Sequence, residues 1–182
     1  MKFTNAEKLI VTMLADLHEK LEIETVDTRL IKQAIYSNNT WALSWELPVM
    51  VGDSSEPTPP EVILVADILD MWSFIEKAYE RFNETEKSSL QAKASLLGNQ
   101  IEFVGFDGNN ESQYMSIANF LIKEMKRFTR FADRELNSHC PVIDSYRRML
   151  REFLLIRPKL IDRSLSVDEM AKVLSARRNS SF

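Results

Sequence analysis

A single cysteine, Cys140, leaves this 182-residue chain without an internal disulfide, and nothing in it calls for an oxidising compartment. Glycine and proline are scarce, at four and six residues. Sandwiches, barrels and nucleotide-binding α/β folds spend glycine on turns and phosphate loops, so their shortage excludes those classes and favours helix. Histidine is rarer still, with only His18 and His139. One cysteine and two histidines cannot build a dedicated Cys/His zinc site, and no metal or other cofactor is expected. No apolar run approaches the roughly 18–20 residues of a membrane span, so no membrane partner is expected either. The first residues, MKFTNAEKLIVTMLADLHEKL, intersperse Glu7, Lys8 and Asp16 among apolar positions. They read as a folded amphipathic helix rather than a signal peptide, and a cytoplasmic location is the expectation.

What is present is a chain with 45% hydrophobic and 27% charged residues, long enough for one substantial core. Thr4 and Glu7 form a capping box, after which Leu9, Ile10, Met13, Leu14, Leu17 and Leu21 recur at helical spacing. A second helix runs over about Thr28 to Tyr36 from Asp27, and TWALSWEL is a short third. The segment VGDSSEPTPP, about residues 51–60, is a proline-rich loop, and its last prolines suit the first turn of a helix. That helix runs to about Phe82 with Val65, Ile68, Leu69, Trp72, Ile75 and Tyr79 inward, and another covers about 85–97. Near the C-terminus, Tyr146, Met149, Leu150 and Phe153 mark a helix over about Val142 to Leu155. Ser166 and Glu169 cap a last one. The expectation is an all-α fold of about seven or eight helices in one domain, residues 1–177, followed by a flexible tail at 178–182.

The stretch FVGFDGNNESQY, residues 103–114, invites a ligand loop. Its spacing fails the calcium template, because position 6 from Asp107 is Ser112 and position 12 is Ala118. No glycine is followed by the Lys and Ser/Thr of a P-loop. The remaining reading is a helix start, with Asn110 as N-cap, Gln113 at N3 and Glu111 in the first turn. The helix it launches, about Asn110 to Ala132, carries Tyr114, Ile117, Ala118, Leu121, Met125, Phe128 and Ala132 on one stripe. Lys123, Lys126, Arg127, Arg130 and Arg134 gather on the other face with Phe120 and Phe131 at its edge. Such a face either tracks a phosphate backbone with rings stacking on bases or is simply solvated.

Charge is unevenly spread. Residues 1–102 carry nine basic and seventeen acidic side chains, residues 103–182 fourteen and ten. The basic half binds anions, or docks on the acidic half within the chain or across a dimer. Trp41 and Trp45 lie one helical turn apart and serve a core or a subunit contact. Asp107, His139 and Arg147 are residue types a hydrolase acting on a phosphorylated compound would use, without a supporting spacing.

Several runs match in order along most of the chain: TNAEKLI at 4–10, NTWALSWE at 39–46, FVGFDGNNE at 103–111, RFTRF at 127–131, and LNSHCP with YRRML at 136–150. On these the chain resembles the YfbU family of bacterial proteins. The resemblance implies a small, mostly helical cytoplasmic protein, and it supplies no catalytic residue. The functional expectation is a non-enzymatic binding or regulatory protein that self-associates. Nucleic-acid or nucleotide binding through the basic face is the second reading, and the hydrolase the third.

Overall fold

The computed structural model describes residues 3–48, 57–94 and 101–178. Much of the 51–60 loop, the end of the 85–97 helix and most of the tail therefore lie outside the described residues. Within them the chain forms eight α-helices: α1 (Asn5–Lys20), α2 (Thr28–Tyr36), α3 (Trp41–Glu46), α4 (Pro60–Arg81), α5 (Glu84–Ala94), α6 (Ser112–Asn119), α7 (Ile143–Ile156) and α8 (Val167–Ser175). No strand occurs among the described residues. A single parallel bridge joins Phe106 and Asn137, tying the loop before α6 to the loop before α7.

The caps the sequence announces are made. Thr4 Oγ1 accepts from Glu7 N–H at 3.2 Å, and the Glu7 carboxylate accepts from Thr4 N–H at 2.7 Å. Asp27 accepts from Leu30 N–H at 2.9 Å, and Asn83 and Glu86 cap α5 reciprocally. Pro60 opens α4, where its missing N–H costs nothing.

The central helix is α4. Val65, Ile68, Leu69, Trp72 and Ile75 are at most 1% exposed, as their spacing requires, while Tyr79 is half-buried. α6 and α7 pack on α4, and α8 packs on both α5 and α7. From α7, Tyr146, Met149, Leu150 and Phe153 enter this core, where Tyr146 meets Trp72, Phe103 and Phe106 edge-on or tilted. Such ring pairs each add about 0.5–1.5 kcal/mol beyond their buried area. Burial pushes the Tyr146 phenol far above its ordinary pKa.

The long helix over 110–132 does not form. α6 ends at Asn119, passes through one π-helical turn at Phe120–Glu124, and is then broken by Lys126 (φ 53°) and Phe128 (φ 52°) in left-handed conformations. A short 3-10 turn follows at Thr129–Phe131. Neither break residue is a glycine, so the sequence carries no local signal of it. Tertiary gains set against this backbone cost are the burial of Phe131 and the reach of Arg130 and Arg134 to acidic groups of α4.

α8 illustrates a cap with an electrostatic consequence. Glu169 accepts from Ser166 N–H at 3.0 Å and from both terminal nitrogens of Arg163 at 2.7 Å. Arg163, helped by Ser166, holds the Glu169 carboxyl down at about 2, below its ordinary 4.5. A depressed carboxyl stabilises the fold fully above its unfolded value, and that contribution is lost as pH falls through its folded value. Comparing urea midpoints at about pH 5 and about pH 3 should therefore show a smaller acid loss in Arg163→Ala than in the parent. An unchanged difference would show that this pair contributes nothing to the acid limb.

Candidate functional site

The loop before α6 is built around two carboxylates. Asp107 and Glu111 are 2% and 4% exposed, and both are hydrogen-bonded. Asp107 accepts from Asn109 N–H at 3.0 Å and from the Asn110 side-chain amide, and these bonds lower its pKa, the Asn110 contact most. Asn110 is therefore spent on Asp107 and does not cap α6. The cap position falls to Glu111, whose side chain points elsewhere. Glu111 accepts from Asp107 N–H at 3.1 Å and, at 2.8 Å each, from Val142 and Ile143 N–H. It thus satisfies the positive start of α7, thirty-odd residues away, instead of its own helix.

Gly105 (φ +86°) makes the turn possible. A Cβ there would stand 2.1 Å from the Leu136 carbonyl oxygen. Asn137 completes the junction, accepting from Gly108 N–H at 3.0 Å and from His139 N–H at 3.1 Å.

The three residues of the hydrolase reading have different hydrogen-bonding partners, though His139 lies near enough to add to the lowering of the Asp107 pKa. Asp107 serves the turn. His139 is exposed, with φ 55° and Glu135 at 3.3 Å. Arg147 lies on the surface of α7, donating to Tyr114 Oη at 3.1 Å and to Asp144 at 3.3 Å. No hydrogen bond or ion pair joins the three among the described residues.

The five cations do not share a helix face. Arg134 is bidentate to Glu76 of α4 (2.6 and 2.8 Å), and Arg130 is bidentate to Glu80 (2.6 and 3.1 Å). Arg127 donates to Glu46 at 2.9 Å and lies over the Trp45 ring, 5.2 Å from its centroid. Arg157 pairs with Asp67 and Asp70 in the same way. The basic half thus docks on the acidic half within one chain. Lys123 and Lys126 stand exposed and unpaired among the described residues. Phe120 and Phe131 are buried, so neither ring is available to stack on a base. Trp41 is also buried, edge-on to Trp45 at 5.3 Å, and its indole N–H donates to Asn39.

Two further surfaces emerge. A cleft of about 450 Å³ opens between the α2–α3 turn, α4 and the start of α6, lined by Asn38, Asn39, Trp41, Val62, Gln113 and Ser116 among others. Its lining among the described residues holds no titratable side chain, so these residues offer it no side-chain acid or base. Among the described residues no group of three His, Cys, Asp or Glu side chains converges as a metal would need. The second surface is α1. Leu9, Ile10, Met13, Leu14, Leu17 and Leu21 are 52–67% exposed, and Ile23 is 38% exposed. α1 rests on α2 with only Ala15 fully buried, while Lys8, Val11, Thr12 and His18 on that side are half-buried. The stripe read from the sequence exists, but it faces away from the core.

A family model described as the YfbU domain matches residues 1–176. The chain belongs to the YfbU family. A curated relative, a UPF0304 protein of Methanocaldococcus jannaschii, is 33% identical over 91 residues, covering 47% of this chain and 51% of the relative. The chain thus spans about half the length of that relative. The YfbU match takes in both the Asp107–Glu111 junction and α1. No helix of the described residues is long and apolar enough to cross a membrane.

The sequence reading missed the α1 surface because periodicity reports that a stripe exists, not which side is covered. A signal was present: Val11 and Ala15 give the helix a second, smaller apolar side suited to close approach by α2.

Glu111→Ala strands three buried N–H groups, which should cost about 2–4 kcal/mol in urea unfolding. A loss below about 0.5 kcal/mol would mean that water replaces the carboxylate there. Gly105→Ala should cost roughly 3 kcal/mol by the same measurement, since the clash is with backbone that cannot rotate away.

Proposed function

We propose that this chain is a non-enzymatic helical protein that acts by binding and that self-associates, with the outer face of α1 as its assembly surface. One observation carries the reading: six large aliphatic side chains in a continuous stripe, each more than half exposed. The largest apolar patch on a typical monomer is about 300–600 Å², and a standard interface covers about 800 Å² on each partner. A stripe three turns long, extended by Ile23, is on that scale. Fully covering one such side chain is worth about 1.5–3 kcal/mol, so half-covered leucines leave a substantial driving force for association.

The attachment of α1 supports the same reading. Ala15 and Ile35 are buried yet stand outside the main core cluster, and the polar links to α2 are exposed. Lys32 reaches Glu19 at 2.7 Å and Asp16 at 3.2 Å, and Thr28 donates to Glu19. Surface pairs of this kind contribute under about 1 kcal/mol each. A helix so lightly held gains from a second covering surface.

The competing readings lose their motivation at specific residues. The basic-face reading needs free cations, and Arg127, Arg130 and Arg134 are neutralised by Glu46, Glu80 and Glu76. The hydrolase reading needs a shared site for Asp107, His139 and Arg147, and their partners are all different. Trp41 and Trp45, the earlier candidates for a subunit contact, are occupied by Asn39, Thr58 and Arg127. A cytoplasmic location is consistent with the lone exposed thiol of Cys140.

Light scattering at micromolar concentration should give a mass of at least two chains, in low and high salt alike, because apolar contact is not screened. Leu14→Glu with Leu17→Glu should reduce it to one chain while the far-ultraviolet circular dichroism stays helical. A parent that is strictly monomeric at both salt concentrations would end the proposal.

A further inference from the structure

Resting on that reading, we infer that the partner covering α1 is the α1 helix of a second copy, lying antiparallel about a two-fold axis that passes between residues 13 and 14. The stripe itself supplies the register. Ala6, Ile10, Met13, Leu14, Leu17 and Leu21 are all exposed on one side of the helix. Their spacings run 4, 3, 1, 3, 4, the same read in either direction. An antiparallel copy therefore sets Ile10 against Leu17, Met13 and Leu14 around the axis, and the small Ala6 against the large Leu21. Each of these six positions meets another of the six, with Leu9 at the margin opposite His18, and the Ile10–Leu14–Leu17–Leu21 subset has the alternating four- and three-residue spacing of a helix-pairing seam.

Charge selects the antiparallel arrangement over the parallel one. Residues 16–24 carry Asp16, Glu19, Glu22 and Glu24 against Lys20, whereas residues 2–8 carry Lys2 and Lys8 against Glu7. Lys32 reaches Asp16 and Glu19 from α2 and offsets only part of the acidic end. A parallel pair would stack two acidic ends, and with them the negative ends of two helix dipoles. The antiparallel pair sets each acidic end beside the other copy's less acidic start and opposes the dipoles. The occupant is thus specified by area, by apolar spacing and by charge together. A symmetric pair is also the commonest closed assembly of soluble proteins.

Disulfide trapping reads the orientation directly. Cys140 is exposed and is first replaced, as Cys140→Ser. In that background Ile10→Cys and Leu17→Cys are made as separate full-length proteins, and Leu14→Cys as a third. Facing positions on packed helices come within the about 4.4–6.8 Å Cα separation a disulfide needs, whereas a seven-residue offset moves them about 10 Å apart along the axis. Under mild oxidation the mixture of Ile10→Cys and Leu17→Cys should give about tenfold more covalent dimer than either alone, and Leu14→Cys should cross-link with itself. Light scattering of each variant under reducing conditions accompanies the gels.

A scattering dimer in which Ile10→Cys and Leu17→Cys each cross-link alone, but not with each other, would overturn the antiparallel register and leave self-association through α1 standing. A scattering dimer with no cross-link at any of the three positions would overturn α1 as the seam altogether. A monomeric parent protein would remove the underlying reading as well.

Discussion

The carboxylate of Glu76, 5% exposed in the middle of α4, is the interaction on which the rest of the architecture depends. It accepts from Phe103 N–H at 2.8 Å, holds Arg134 with both oxygens and has Arg130 at 3.7 Å. Two stretches distant in sequence, around Phe103 and around Arg130–Arg134, thereby meet one point of the central helix. A charge taken that far from water is tolerated only with such partners, and removing one would leave an uncompensated buried ion. This constraint accounts for the most irregular part of the backbone. A straight helix over 110–132 would leave Arg130 and Arg134 on a solvated face. The π turn and the left-handed Lys126 and Phe128 bring them onto α4, and Phe131 enters the core with them.

The same logic explains the uneven charge of the two halves. The excess acid of the first hundred residues and the excess base of the remainder read as a polarity available to outside partners. In the fold much of it is consumed internally, by Arg127 on Glu46, Arg130 on Glu80, Arg134 on Glu76 and Arg157 on Asp67 and Asp70. Beside the exposed Lys123 and Lys126, what stands out at the surface of the described residues is the apolar stripe of α1. That shifts the centre of interest from the cationic segment to α1, and from electrostatic recognition to association by burial.

The junction at Asp107, Glu111 and Asn137 shows a segment that resembles a ligand loop in its sequence serving as a hydrogen-bonded turn. Its acceptors are matched to backbone N–H groups of the turn itself and of the α7 start. A polar cluster hydrogen-bonded in this way fixes the angle between two segments.

The sequence by itself determined the all-α class, the family, the Thr4, Asp27 and Ser166 caps, and the inward faces of α4 and α7. Each is local: a cap is an interaction three residues long, and a fully apolar face such as Val65–Ile68–Leu69–Trp72–Ile75 has nowhere to go but inside. The tertiary structure decided where a helix stops when no glycine or proline marks the end, as at Lys126. It also decided which distant N–H groups a carboxylate such as Glu111 serves, and which of two sides of α1 meets α2. Those choices are settled by contacts between residues far apart in the chain. Ala15 and Val11 allow α2 to approach closely and the larger Leu14 and Leu17 are turned outward, a choice that the apolar periodicity of α1 leaves open and that only the small size of Val11 and Ala15 hints at.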